Sequence, residues 1–428
     1  MTRRNIIKIA TLNTAASYKR ILGANNRVRV GFIGLGSMGY NGNLVNCAEL
    51  KNTEISGICD VFRPHLERAR EKARNHSSKL ILTNDFRILL EDTGTDAICI
   101  STPDHWHALM ITAALRAGKH VYCEKPIAHK VNELPMIIAS QKKYGKVFTS
   151  GQWQRSGNQF IEAIEDIPML GKIQKSKTWY RGQTGSMEKV ADSNPPKGLD
   201  WNMWLGPAPQ RQFNANRFLF NWRWFWDYGN GWFGDWGPHM IDVAEWGLSR
   251  VSSAQTQPYR ISLSNELKIS CTKDDRDTPT YFHVSYDYNN RPSVDFEYDG
   301  CDSTNKDREW GVLWSGENGS IFVDREEYKF TDPDGKTRKN VSSDGNALLN
   351  HWQNFIDHII NNKIDTNANL ENVGTTTLNC LLAAAAHKRM KINGSQEIIW
   401  DPQKKENEIN DMGAFLRYEY RKPWRLYV

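Results

Sequence analysis

This sequence lacks paired cysteines, long apolar runs and an excess of charge of one sign. No stretch approaches the roughly 20 apolar residues of a membrane-spanning helix, so no helical span is expected in its 428 residues. The seven cysteines, at 47, 59, 99, 123, 271, 301 and 380, form no C-x-x-C. Their odd count and wide spacing argue against a disulfide framework and against a zinc site. Cys59, Cys99 and Cys123 lie in apolar strand-like runs, where a small hydrophobe is explanation enough. The formal charge is +6 with no basic block, which gives no ground for nucleic-acid binding. No internal repeat stands out.

What is present is organised around residues 27–39, RVRVGFIGLGSMG. Val28, Val30, Phe32 and Ile33 suit a buried parallel strand. Gly34, Gly36 and Gly39 follow at G-x-G-x-x-G spacing, and a helix-compatible stretch runs from 38 to 50. In a dinucleotide site the first glycine makes the tight turn, the second lets the backbone approach a pyrophosphate, and the third packs helix on strand. The helix start, at Ser37 and Met38, offers N–H groups to the phosphates. Residues 53–59 read as the next strand, and Asp60 at its end can accept both ribose hydroxyls of NAD. The alternative is a glycine turn in some other α/β protein; the strand before and the acid after weigh against it. Asp60 would repel a 2′-phosphate, so NAD is expected over NADP, although Arg63 stands close by.

The length predicts two domains. Residues 1–26 resemble a twin-arginine export leader, with Arg3–Arg4, a short mildly apolar stretch and small residues at 15–17. That predicts a periplasmic or otherwise exported protein; a basic, frayed cytoplasmic N-terminus is the alternative. Residues 27–150 alternate strand and helix, which predicts an α/β fold with a doubly wound parallel sheet of Rossmann type. Its strands are expected at 28–33, 54–59, 80–82, 97–101, 120–123 and 147–149. Residues 151–400 follow as a substrate-binding domain. Several strands in succession between 257 and 330 predict a mostly antiparallel sheet, and 348–361 and 373–390 read as amphipathic helices. Residues 401–428 form a tail whose aromatic-basic end suits packing on a surface or a neighbouring subunit.

Ligands of such sheets bind beyond the carboxyl ends of the strands. Two loops there are rich in chemistry: residues 101–107, with Thr102, Pro103 and His107 as cofactor contacts, and residues 123–126, with Glu124 and Lys125. A shielded lysine at the second can hydrogen-bond a substrate hydroxyl and favour its alkoxide, as hydride transfer to NAD requires. A plain turn lysine is the alternative. Asp235 and His239, four apart at a helix start, can face the same way, the carboxylate orienting a ring that takes a proton. An N-cap aspartate beside a structural histidine is the alternative. His105 and His107 lack a third metal ligand at a recognisable spacing, so no metal is expected.

Tryptophan is abundant, with 16 in all and eight between 201 and 246. Most belong in a core. Aromatic faces also stack on sugars, so Trp153, Trp179 and Trp232, with Arg155, are the candidate substrate contacts.

The motifs GFIGLGSMG, Asp60, STPDHWHA, GKHVYCEKP and the D-x-x-x-H of Asp235 and His239 resemble the glucose-fructose oxidoreductase, inositol dehydrogenase and rhizopine-catabolism (Gfo/Idh/MocA) family. The likeness runs from about 27 to about 400. It implies a C-terminal α/β domain whose open sheet often forms an oligomer interface, here a homo-oligomer. It implies a tightly held NAD(H) or NADP(H), and sugar or cyclitol substrates. By motif, Lys125 matches the catalytic lysine of E-K-P, and Asp235 and His239 match the catalytic pair. The family also holds NAD-dependent glycosidases that oxidise, eliminate and re-reduce. A dehydrogenase is the reading preferred; that cycle and a non-catalytic sugar- or cofactor-binding protein are the alternatives.

Overall fold

The computed structural model describes residues 27–182, 185–252, 257–264, 275–300, 308–394, 396–401, 406–407, 416–417 and 419–426. Residues 1–26, expected to be an export leader, Cys271, Cys301 and most of 402–418 lie outside the described residues. Among the described residues no helix is long and apolar enough to cross a membrane.

The first sheet has six strands: β1 (Val28–Ile33), β2 (Thr53–Cys59), β3 (Ile81–Thr83), β4 (Ala97–Ile100), β5 (His120–Cys123) and β6 (Phe148–Ser150). They lie in the order β3-β2-β1-β4-β5-β6. Every pair is parallel, with Val30 opposite both Ile55 and Ala97. The connection reverses at β1, whose two neighbours are β2 and β4. A crevice therefore opens beyond its carboxyl end, where Gly34 begins the turn. The helix-compatible segment after the turn is helical in two parts. It is a π-helical stretch, Met38–Leu44, followed by a short α-helix, Val45–Glu49.

The second sheet is larger than the sequence implied. It has ten strands: β7 (Ile173–Tyr180), β8 (Arg260–Leu263), β9 (Tyr281–Asp287), β10 (Val294–Asp299), β11 (Trp310–Gly316), β12 (Gly319–Val323), β13 (Glu327–Thr331), β14 (Thr337–Ser342), β15 (Glu397–Asp401) and β16 (Glu406–Asn407). Only β7 and β10 pair in parallel; the other pairings are antiparallel. Helices Gly237–Ser249 and Leu370–Asn393 cover one face. Trp314 is buried there and donates from Nε1 to the Ala244 carbonyl at 3.1 Å.

Helix Ala347–Ile360 follows the antiparallel strands in sequence but packs against the first sheet. Trp352 stacks on Tyr122 with ring centroids 4.3 Å apart and planes within 2°. Phe355, Ile356 and Ile359 join the same core as Phe32 and Ile58. The end of the chain also returns to this half. Trp424 packs edge-on to Trp106 at 4.9 Å, and the Tyr420 hydroxyl donates to Glu133. The described part of the tail thus lies on its own chain.

Candidate active site

A cavity of about 670 Å3 runs from the glycine turn to helix Gly237–Ser249. At one end the backbone explains each glycine. Gly34 has φ of +85°, and a Cβ there would meet the Ser101 carbonyl oxygen at 2.6 Å. A Cβ on Gly39 would meet the Gly34 oxygen at 2.0 Å, while one on Gly36 would meet nothing within 4 Å. Gly34 and Gly39 are therefore packed shut, and Gly36 leaves backbone open to the cavity, as a pyrophosphate needs. Asp60 is held in place beside it. Its Oδ2 accepts from the Leu35 N–H at 2.7 Å and its Oδ1 from the Phe62 N–H at 2.8 Å. These features fit a dinucleotide.

Asn43 ties the turn to the next loops. Its amide donates to Ser101 Oγ and to Glu124 Oε1, each at 2.9 Å, and its oxygen accepts from Trp352 Nε1 at 3.1 Å. Burial pushes the Glu124 carboxyl up, with the Asn43 amide opposing. Sequence reasoning missed Asn43, because an amide in a helical stretch carries no signal by itself.

At the other end Lys125 Nζ donates to Asp235 Oδ1 at 2.5 Å and to the Asp235 backbone oxygen at 2.6 Å. An ammonium has three N–H bonds, so one remains for a substrate hydroxyl. Burial alone would raise the Asp235 carboxyl. The charges of Lys125 and Arg223 outweigh it and bring it down to about 2. Asp235 is therefore a fixed anion, and it holds Lys125 as a hydrogen-bond donor.

His239 lines the same cavity, but Asp235 does not orient its ring as expected. The short helix Gly231–Asp235 ends at the aspartate, and a new helix begins at Gly237. Asp235 turns to Lys125, and to Arg223 Nε at 3.5 Å. His239 Nδ1 is buried with no hydrogen-bond partner. Burial, helped by the charges of Lys125 and Arg325, drives the ring well below its ordinary range. His239 is thus held in the neutral form, which leaves one ring nitrogen as an acceptor.

Of the residues singled out from sequence, the cavity gathers Gly34, Gly36, Ser37, Met38, Asp60, Thr102, Pro103, Glu124, Lys125, Trp153, Asp235 and His239. Five others lie off it. Gly39 is inside the turn. His107 bridges the carbonyls of Pro126 at 2.7 Å and Thr102 at 2.8 Å, joining the two loops rather than touching a ligand. Arg155 is buried in a two-bond ion pair with Asp242, at 2.7 and 2.9 Å, under Trp246. Trp179 sits on the second sheet against Phe322. Trp232 is core, packed on Tyr180, Trp224 and Tyr298. His105 is also buried, its Nε2 at 3.2 Å from the Trp204 carbonyl. Large aromatics and a well-paired arginine bury readily, and nothing in their local sequence tells core from cleft.

The cavity also holds residues not singled out: Asp104, Arg223, Trp236 and Arg325. The Asp104 carboxyl is pushed well up by burial, against the pull of Arg223 and Lys125.

Comparison with known proteins agrees with this geometry. Residues 28–152 match the model of the oxidoreductase family with an NAD-binding Rossmann fold, and residues 171–426 match that family's C-terminal alpha/beta domain. The uncharacterised oxidoreductase YrbE of Bacillus subtilis (strain 168) is 31% identical over 147 residues, covering 34% of this chain and 41% of that protein. An alpha-N-acetylgalactosaminidase of Shewanella oneidensis is 35% identical over 124 residues, covering 28% of this chain and 27% of that protein. The chain thus spans less than half the length of these curated relatives. Among solved structures, the aldose-aldose oxidoreductase of Caulobacter crescentus, complexed with glycerol, superposes with a TM-score of 0.61 at 16% identity, over 85% of this chain and 98% of that one. At that identity the likeness concerns the fold.

Proposed function

From the premise that this chain belongs to the Gfo/Idh/MocA family of NAD-binding oxidoreductases, we propose that it carries a hydride between a sugar or cyclitol hydroxyl and NAD. The observation that carries this reading is the meeting of Lys125, Asp235 and His239 in one cavity with the glycine turn. When bound, the nicotinamide supplies the hydride acceptor. The chain's own residues handle the proton. Lys125, anchored by Asp235, donates its free N–H to the reacting oxygen and stabilises negative charge there. His239, neutral and lining the same cavity, accepts the hydroxyl proton. Lys125 is engaged as a donor, so the base is the histidine. Asp60 favours NAD over NADP by repelling a 2′-phosphate. Trp153 gives the substrate an aromatic wall.

The wider reading has two further parts. Export by the twin-arginine route is supported by Arg3–Arg4, and fractionation of cells carrying R3K/R4K against wild type tests it. A homo-oligomer is supported by the outer face of the second sheet, where Lys177–Glu297 and His283–Asp295 pairs are only partly buried. Light scattering of the purified protein tests that.

Mass spectrometry of the purified, NAD-loaded protein after incubation with sugars, cyclitols and their glycosides tests the central reading. It reads cofactor state and products together. Reduced cofactor with a keto product supports it; a bound ligand without chemistry makes this a binding protein. The similarity to the Shewanella alpha-N-acetylgalactosaminidase favours a second reading, NAD-dependent glycoside cleavage. Release of an aglycone without net reduced cofactor would select it.

A further inference from the structure

Arg325 lies between β12 and β13 and reaches into the cavity beside His239. Its guanidinium carbon is 4.5 Å from the Trp153 ring centroid and 4.5 Å from that of Trp236. The two indoles hold the cation over their rings. Trp236 is itself held, stacked on Tyr180 at 4.2 Å and on Trp310 at 5.3 Å. The edge of the guanidinium is nearly unused. Its one hydrogen bond is a long one, from Nη2 to Gln154 Oε1 at 3.3 Å, and Nε is buried without a partner.

The other cations of the cavity are held by oxygens: Arg68, at the glycine turn, donates to the carbonyls of Leu35 at 2.5 Å and Gly36 at 3.1 Å. Lys125 and Arg223 share Asp235. Arg155 and Arg308, nearby in sequence terms to Trp153 and Arg325, each have their own carboxylates. Among the described residues no carboxylate stands within ion-pair distance of Arg325. Burial lowers its pKa to about 10, with the more distant Asp235 and Tyr180 opposing. A half-buried cation with no counter-ion costs free energy unless a ligand supplies the charge. A guanidinium held over two rings keeps its Nη N–H groups for an anion, and arginine is the side chain suited to carboxylate recognition.

Resting on the oxidoreductase reading above, we propose that Arg325 binds a carboxylate on the substrate, so that the preferred substrate class is uronic or other sugar acids rather than neutral sugars. Trp153 packs on the sugar while Arg325 holds the acid, which fixes which hydroxyl meets Lys125 and His239.

Calorimetric titration of the NAD-loaded protein with matched pairs tests this: glucuronate against glucose, galacturonate against galactose, with glucose 6-sulfate as a non-carboxylate anion. The expected result is uronate affinity at least about tenfold above the neutral partner, the factor one charge-assisted hydrogen bond gives. R325Q should close that gap, and R325K should keep part of it. If R325Q fails to fold, R325K and the wild-type pairs decide. Equal affinity for acid and neutral sugar, a gap that survives R325Q, or binding of the sulfate alone would overturn the proposal. NAD affinity is read in the same proteins; an equal loss of NAD binding in R325Q would assign Arg325 to the cofactor and also overturn it. Absorbance at 340 nm separates the two readings. Uronates that bind through Arg325 without reducing NAD leave the acid site standing and remove the oxidoreductase. Neutral sugars that reduce NAD while uronates do not bind keep the oxidoreductase and remove the acid site.

Discussion

Lys125 Nζ sits 2.5 Å from Asp235 Oδ1 and 2.6 Å from the backbone oxygen of the same residue. These residues are 110 apart in sequence, so the contact joins the two halves of the chain at the floor of the cavity. It turns a loop lysine into a donor of fixed position, and it takes from Asp235 the role of orienting His239.

Replacing that lysine should remove chemistry and leave the cofactor bound. In Lys125→Met the turnover should fall by about 100- to 10,000-fold, the range for a positioned acid–base group. Equilibrium NAD binding, followed by fluorescence quenching, should persist. An unchanged rate would remove Lys125 from the mechanism.

His239 gives the pH dependence. Its pKa is depressed by burial and by the neighbouring cations. The base form is therefore present above the depressed value, and activity is lost only as pH falls through it. The acid limb of kcat/KM should lie well below 6.5, the ordinary histidine value. His239→Gln should abolish that limb and lower kcat. An inflection at 6.5, or a limb that survives the substitution, contradicts the assignment of the base.

Asp60 should set cofactor choice. Its carboxylate is fixed by the Leu35 and Phe62 N–H groups. Asp60→Ala should weaken NAD by about tenfold or more, the worth of hydrogen bonds to a charged group. The preference over NADP should narrow. Equal binding of NAD and NADP by the wild type, measured by calorimetry, would contradict this role.

Acid should destabilise the fold through its buried histidines. Burial lowers His105 and His351 to about 4 and His120 to about 3. Each binds its proton more tightly in the unfolded chain. Their contribution is intact above about 6.5 and is lost as pH falls from there through 4. Tm by calorimetry should drop across that window. A flat Tm between pH 6.5 and 4 would contradict it.

Helix Ala347–Ile360 should be essential to the first domain although it comes from the second half of the chain. Trp352→Ala removes the ring stacked on Tyr122 and should cost about 3–5 kcal/mol in denaturant titration. A loss below about 1 kcal/mol would mean that the helix docks only loosely.

Much of this was legible in the sequence because local pattern and local structure coincide there. β1 and β5 fall on the residues expected, 28–33 and 120–123. Apolar runs ended by glycine or by a polar loop leave a buried parallel strand little freedom in its bounds. The glycine turn, Asp60 and Lys125 were readable because their chemistry depends on spacing along the chain. What depends on distant packing was not. β14, with the sequence TRKNVS, is a polar strand paired only with β13, and such a strand has no apolar alternation to betray it. The i,i+4 spacing of Asp235 and His239 suggested that the carboxylate orients the ring, but the fold brings Lys125 and Arg223 to Asp235 instead. Arg155 and Arg325 look alike in sequence. Only the fold brings Asp242 to the first and two indoles to the second.

The central claim is that a carbinol hydrogen leaves as hydride while Lys125 and His239 handle the proton. Mass analysis of the cofactor after reaction of NAD-loaded protein with a substrate deuterated at the carbinol carbon tests it most directly. The account predicts reduced cofactor one deuterium heavier, with no such product from Lys125→Met. Product formed while the cofactor stays oxidised and unlabelled would contradict it.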